Sequence, residues 1–188
     1  MYTAFQKHLL FFSTLATPPR LTFYSALRAS IALGLNLPIA VVLSVSLRVL
    51  YVQLPRFWSP VFVDRIPNSA HRAQLTAAHL PPEKSEFSCT DLLQLLSQND
   101  NEGFFKRKIN EGHIIGFWAM AADARTHTVA REDVRRFQQG NWEASVVEKR
   151  RDRTDVLPVW RGGPIWVEGH SWAVKKLLGI RVYESKTV

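Results

Sequence analysis

Phe5-Gln6-Lys7-His8-Leu9-Leu10-Phe11-Phe12 opens the chain, and the next carboxylate does not come until Asp64. The octapeptide reads as the body of a short amphipathic helix over residues 1–12, with His8 set among apolar neighbours. Residues 13–22, broken by Pro18 and Pro19, follow as a loop. Phe23 to about Leu33 then reads as a second helix. An imidazole at the apolar end of a helix, beside a loop without acids, is a candidate metal ligand or proton-transfer group.

The totals set limits around that start. The 188 residues suffice for one domain with a real core, with or without a tail. Cys89 is the single cysteine, which excludes an internal disulfide framework and a CxxC zinc site. The formal charge of +8 suits nucleic acid or an anionic lipid surface. Its distribution favours lipid: Lys7, Arg20, Arg28, Arg48 and Arg56 are scattered singly among apolar residues. Nucleic acid is therefore not expected as a partner, and no secretory signal is expected.

Residues 31–52 are the most apolar stretch, interrupted by Gly34, Asn36, Pro38 and Arg48. Those breaks argue against a spanning helix and for a segment lying in a membrane interface, with a buried core helix as the competitor. A Pro-rich turn over 54–60 follows, then a short strand over 61–66 and a helix over 70–79 ended by Pro81-Pro82. Ser88 and Asp91 open a helix whose buried face is Leu92, Leu93, Leu95 and Leu96. Phe105, Ile109, Gly116, Phe117 and Trp118 recur at helical spacing over 104–122. A loop from Asp123 precedes the last expected core helix, 132–139, which Gly140 stops. Residues 149–153 (Lys-Arg-Arg-Asp-Arg) read as a solvated linker, and 171–178 as a short basic amphipathic helix. The tryptophans of the tail, Trp160, Trp166 and Trp172, suit docking on lipid, capping a pocket or packing on the core, with packing the default expectation.

Several stretches, taken in order, resemble the caleosin family of haem peroxygenases found on lipid droplets. They are Gln6-Lys7-His8 with Phe11-Phe12; Phe23-Tyr24 with Leu27-Arg28 and Leu33-Gly34-Leu35-Asn36; Ser59-Pro60 with Phe62-Val63; Ile66 with His71; Pro82-Glu83-Lys84 with Glu86-Phe87; and Ala121-Ala122-Asp123 with Val134-Arg135-Arg136 and Gly140. The resemblance covers roughly residues 3–145. It implies a mainly α fold: a degenerate EF-hand-like helix–loop–helix pair with an apolar membrane-interfacial segment. The domain so implied is 1–148, followed by a basic, Trp-rich extension over 149–188.

The family's calcium loop corresponds to the stretch from Ser13, which holds no carboxylate, so no calcium ligand is expected there. The resemblance implies that His8 and His71 are the catalytic and haem-iron residues. It also implies transfer of oxygen from a hydroperoxide to an unsaturated lipid or other apolar small molecule, on a lipid-droplet or endoplasmic reticulum surface or in the cytoplasm. A non-catalytic protein of the lipid surface is the alternative, and a homo-oligomer stays open. His79, eight residues and about 12 Å of helix rise from His71, is expected to be structural, as are His113, His127 and His170. Gly169-His170-Ser171-Trp172-Ala173 resembles a nucleophile elbow, but no histidine follows Ser171, so a chance match is expected.

Overall fold

The computed structural model describes residues 2–51, 59–66, 75, 78–97 and 104–185, without the side chains of 105 and 106. The expected helix over 70–79, and His71 with it, falls almost wholly outside the described residues, as does most of the Pro-rich turn. The fold is mainly helical. Among the described residues, helices α1 (Ala4–Phe11), α2 (Phe23–Ala32), α3 (Leu37–Tyr51), α4 (Cys89–Ser97), α5 (Phe104–Ala121), α6 (Arg131–Gln139), α7 (Glu143–Arg150) and α8 (Val167–Leu178) are joined by turns and four two-residue strands. Strands β1 (Arg20–Leu21) and β2 (Val61–Phe62) pair antiparallel, and β3 (Glu86–Phe87) pairs in the same way with β4 (Val129–Ala130).

Local chemistry explains the boundaries. Thr3 caps α1: its hydroxyl accepts the Gln6 N–H, and the Gln6 side chain returns to the Thr3 N–H at 3.1 Å. Phe5, His8, Leu9 and Phe12 lie at helical spacing and are all buried. Thr22 and Ser25 form a second reciprocal cap for α2. The apolar stretch over 31–52 divides at Gly34, whose φ of +96° turns the chain where a side chain would be strained. Asn36 restarts it by accepting the Ile39 N–H at 3.0 Å, and Pro38 in the first turn of α3 costs no hydrogen bond. The inner face of α3 is buried at Ala40, Ser44 and Leu47. Ile39, Val42, Val45 and Val49 are exposed on the opposite side. Among the described residues no helix is long and apolar enough to cross a membrane. The Ser88–Asp91 start of α4 holds: Ser88 donates its N–H to Asp91 at 2.8 Å and accepts the Asp91 N–H at 3.3 Å.

Four expectations are corrected. Residues 61–66 are a two-residue strand followed by a 3-10 turn over Val63–Arg65, because Val63 and Ile66 turn into the core. The helix ending at Gly140 is not the last core element, since Trp142 and Val146 bury α7 against it. Residues 149–153 are not wholly a solvated linker: Arg150 is fully buried, ion-paired with Asp155, and donates to the Met120 carbonyl at 2.7 Å. Trp160, Trp166 and Trp172 do not pack inside; each is about two-thirds exposed, at 64%, 70% and 64%.

The C-terminal segment is held to the front of the chain by Tyr183. Its buried hydroxyl donates to the Gly34 carbonyl and accepts the Leu157 N–H, both at 3.0 Å. Asn36 adds two further ties, its N–H and side-chain amide donating to the carbonyls of Gly162 and Gly163.

Candidate functional site

The buried stripe of α1 faces a cavity of about 300 Å³. Phe5, His8, Leu9 and Phe12 form one wall, and Leu43, Leu47, Leu50 and Tyr51 of α3 form a second. The third comes from α5, with Ile109, His113, Gly116, Phe117 and Met120, and Trp142 closes the end before α7. Helical spacing makes each wall: residues three and four apart share a face. Gly112 and Gly116 keep part of the α5 wall low, since a Cβ at either would meet open space or only the tip of Met120 at 4.0 Å.

His8 is the polar centre of this apolar space. It is 8% exposed, and its Nδ1–H donates to the Glu143 carboxylate, itself 2% exposed, at the first turn of α7. That bond places the remaining lone pair on Nε2. Nε2 of His113 stands 3.2 Å from it, within reach to donate in its Nε2–H tautomer. The His8 ring is also held between Phe12, edge-on at 5.3 Å, and Trp142, stacked at 5.8 Å. His113 meets Phe5 and Phe137 edge-on. The result is a Glu143–His8–His113 chain of hydrogen bonds with aromatic sides. Nearby, the buried Nε1–H of Trp142 has no acceptor among the described residues.

Of the two histidines implied by the resemblance, the structure places His8 in the cavity wall, while His71 lies outside the described residues. His113 and Glu143 escaped the sequence reading. Ile109, His113, Gly116, Phe117 and Met120 form one helical stripe, and that spacing would have carried His113 into the site. Glu143 could have been found only by reading a new helix after Gly140. Of the four histidines expected to be structural, His113 is instead in the cavity wall, and the other three are outside its lining: His79 is exposed, His127 packs against Trp160, and His170 is part-buried in α8. Burial holds the His170 imidazole below its ordinary pKa. Ser171 donates to the Tyr183 carbonyl at 3.1 Å, so its hydroxyl has a structural use.

The donor set can be tested against an iron porphyrin. An imidazole whose Nδ1–H is held by a carboxylate is oriented and made a better donor at Nε2, which suits His8 to an axial position. Two imidazoles on opposite sides of one metal stand about 4 Å apart, with metal–nitrogen bonds of about 2.0–2.1 Å. The 3.2 Å between His8 and His113 is too short for that. The Nε2 lone pair of His8 is also the one that faces His113, so His8 would hold iron only in place of that hydrogen bond.

The loop expected to have lost calcium carries Ser13, Thr14 and Thr17 but no acid. In the second loop Asp123 accepts the N–H groups of Arg125 and Thr126 at 2.8 and 3.0 Å. Those bonds hold its carboxyl below the ordinary range and occupy one of its oxygens. Among the described residues no group of three or more His, Cys, Asp or Glu side chains could hold a metal ion. In comparisons with known proteins, no family model, no curated protein and no solved structure matches this chain.

Proposed function

We propose that the protein is a haem-dependent oxidoreductase of peroxygenase type, acting on an apolar small molecule or lipid held in the cavity between α1, α3 and α5. The observation that carries this reading is His8, pinned by Glu143 and presenting Nε2 toward His113 inside an apolar cavity. Haem, when bound, would supply the oxygen-transfer chemistry from a hydroperoxide. His8 would hold the iron through Nε2 in place of its hydrogen bond with His113, with Glu143 fixing the ring. His113 would give and take the proton that a peroxide must move between its oxygens. The leucines of α3 and the rings of Phe5, Phe12 and Phe117 would orient an apolar acceptor and exclude water. The unpaired Trp142 Nε1–H is a ready donor for an oxygen on the ligand. The scaffold is read as EF-hand-like: α1 and α2 flank one degenerate loop, α5 and α6 the other, and each loop ends in a two-residue strand.

The absorption spectrum of purified protein, as isolated and after addition of haemin, tests this. A Soret band is expected, lost in His8→Ala. His113→Ala should keep the band and lose roughly 10²–10⁴-fold in peroxide-dependent turnover. Protein that stays colourless with haemin would overturn the proposal.

The exposed stripe of Ile39, Val42, Val45 and Val49 on α3 favours a second reading, a protein that lies on a lipid droplet or membrane surface with or without catalysis. The same helix lines the cavity with Leu43, Leu47 and Leu50, which would put an apolar acceptor close to that surface.

A further inference from the structure

A second, open cleft of about 680 Å³ lies on the other side of the end of α1. Phe12 faces the His8 cavity, whereas Phe11 lines this cleft with Ala29, Ala32, Val147 and Ile180 as an apolar floor. Its rim is cationic: Arg28 from α2, Arg151 just after α7 and Arg181 after α8 all line it. The one carboxylate in the lining, Glu184, is paired with Lys175 at 2.6 Å, and this pairing and nearby Arg181 hold it ionised. Arg151 meets Glu148 at 3.2 Å, a pair exposed on both sides and therefore weak. Arg28 donates to the Leu178 carbonyl and to the Tyr24 hydroxyl, at 3.4 Å for the latter, leaving the Tyr24 O–H on the cleft wall with no acceptor among the described residues. Ser13, Thr14 and Leu15 complete the lining from the loop that the resemblance assigns to calcium. Where that loop would gather carboxylates around a cation, the cleft beside it is lined by three arginines, one ion-paired acid and an apolar floor.

We infer that this cleft binds an organic anion with an alkyl body, its carboxylate or phosphate head held by Arg28, Arg151 and Arg181 and its tail lying on Phe11, Ala32 and Ile180. Guanidinium forks suit both head groups, and the floor gives a tail the burial that a free inorganic anion cannot use. The inference stands independently of haem at His8.

Isothermal titration with dodecanoate, with dodecyl phosphate and with inorganic phosphate alone tests it on the full chain. The two amphiphiles should bind at one site per chain and inorganic phosphate should not. The exposed double variant R151Q/R181Q should weaken both amphiphiles roughly tenfold or more, with an unchanged circular dichroism spectrum. A32W, which fills the floor, should weaken them further while His8→Ala leaves them bound. Amphiphile binding that ignores the arginines, or that disappears with His8→Ala, would place the ligand in the other cavity and overturn the inference. Phosphate binding as tight as that of the amphiphiles would remove the alkyl body from it. Loss in R151Q/R181Q of binding to phosphatidylglycerol vesicles, with dodecanoate binding intact, would assign the arginines to a bilayer and overturn it as well.

Discussion

Glu143 is the residue on which the geometry of the site turns. Its carboxylate is buried, sits at the start of a helix, and has His8 as its hydrogen-bond partner. Glu143→Gln keeps the shape and removes the charge, so under the proposed function the expected outcome is a stable protein that binds haemin about 10–100-fold more weakly than the parent, read from haemin titration. Tyr183 plays the matching part for stability. Burial pushes its hydroxyl up to about 12, so the phenol stays protonated and keeps donating to Gly34. Its φ of +53° is a strained value for a bulky residue, which the surrounding contacts must compensate. Tyr183→Phe should cost about 2 kcal/mol in chemical denaturation, since the Gly34 carbonyl and the Leu157 N–H both lose a buried partner. His8 was legible in the sequence because it stands inside an apolar octapeptide. Glu143 was not, because its meaning depends on a partner 135 positions away, and no local pattern records such a distance.

At the scale of elements, helix caps and apolar periodicity located α2, α5 and α6 to within a residue and the start of α4, and began α1 three residues too early, because those signals act between near neighbours. The same local logic failed at α7. Lys149-Arg150-Arg151 looks solvated until Asp155 and the Met120 carbonyl are seen to neutralise and bond Arg150. It was ambiguous at α3, whose apolar residues cover both a cavity-facing and an outward-facing side. Val42→Glu with Val49→Glu should abolish flotation with phosphatidylcholine–phosphatidylglycerol vesicles and shift stability by no more than about 0.5 kcal/mol. Unchanged flotation would remove the membrane reading of α3. In α8, burial lowers the His170 pKa, so the fold favours neutral imidazole. Stability from this group is present above the unfolded value of about 6.5 and is lost as pH falls through the lower folded value. Thermal melts at pH 7.5 and pH 5 should show that loss, and His170→Phe should reduce it.

At the scale of the molecule, one continuous core holds Phe5 and Leu9 from the first helix together with Val174, Ile180 and Tyr183 from the last segment. Asn36 ties the start of α3 to Gly162 and Gly163, and Gly162, close to Ile39 of the outer stripe, stands in sequence between the exposed Trp160 and Trp166. Combining Trp160→Ala and Trp166→Ala with the α3 pair should therefore lower vesicle affinity beyond either set alone, measured by sedimentation. Gly140 bears on all of this. A methyl group on it would fall 1.9 Å from the carbonyl oxygen of Ala4, so the first turn of α1 rests on bare backbone. The missing side chain thus works as a gauge: it sets how near the imidazole and the carboxylate can come. Gly140→Ala would lever the amino-terminal helix outward like a shim under a hinge, and the His8–Glu143 bond would slip although both side chains are still present.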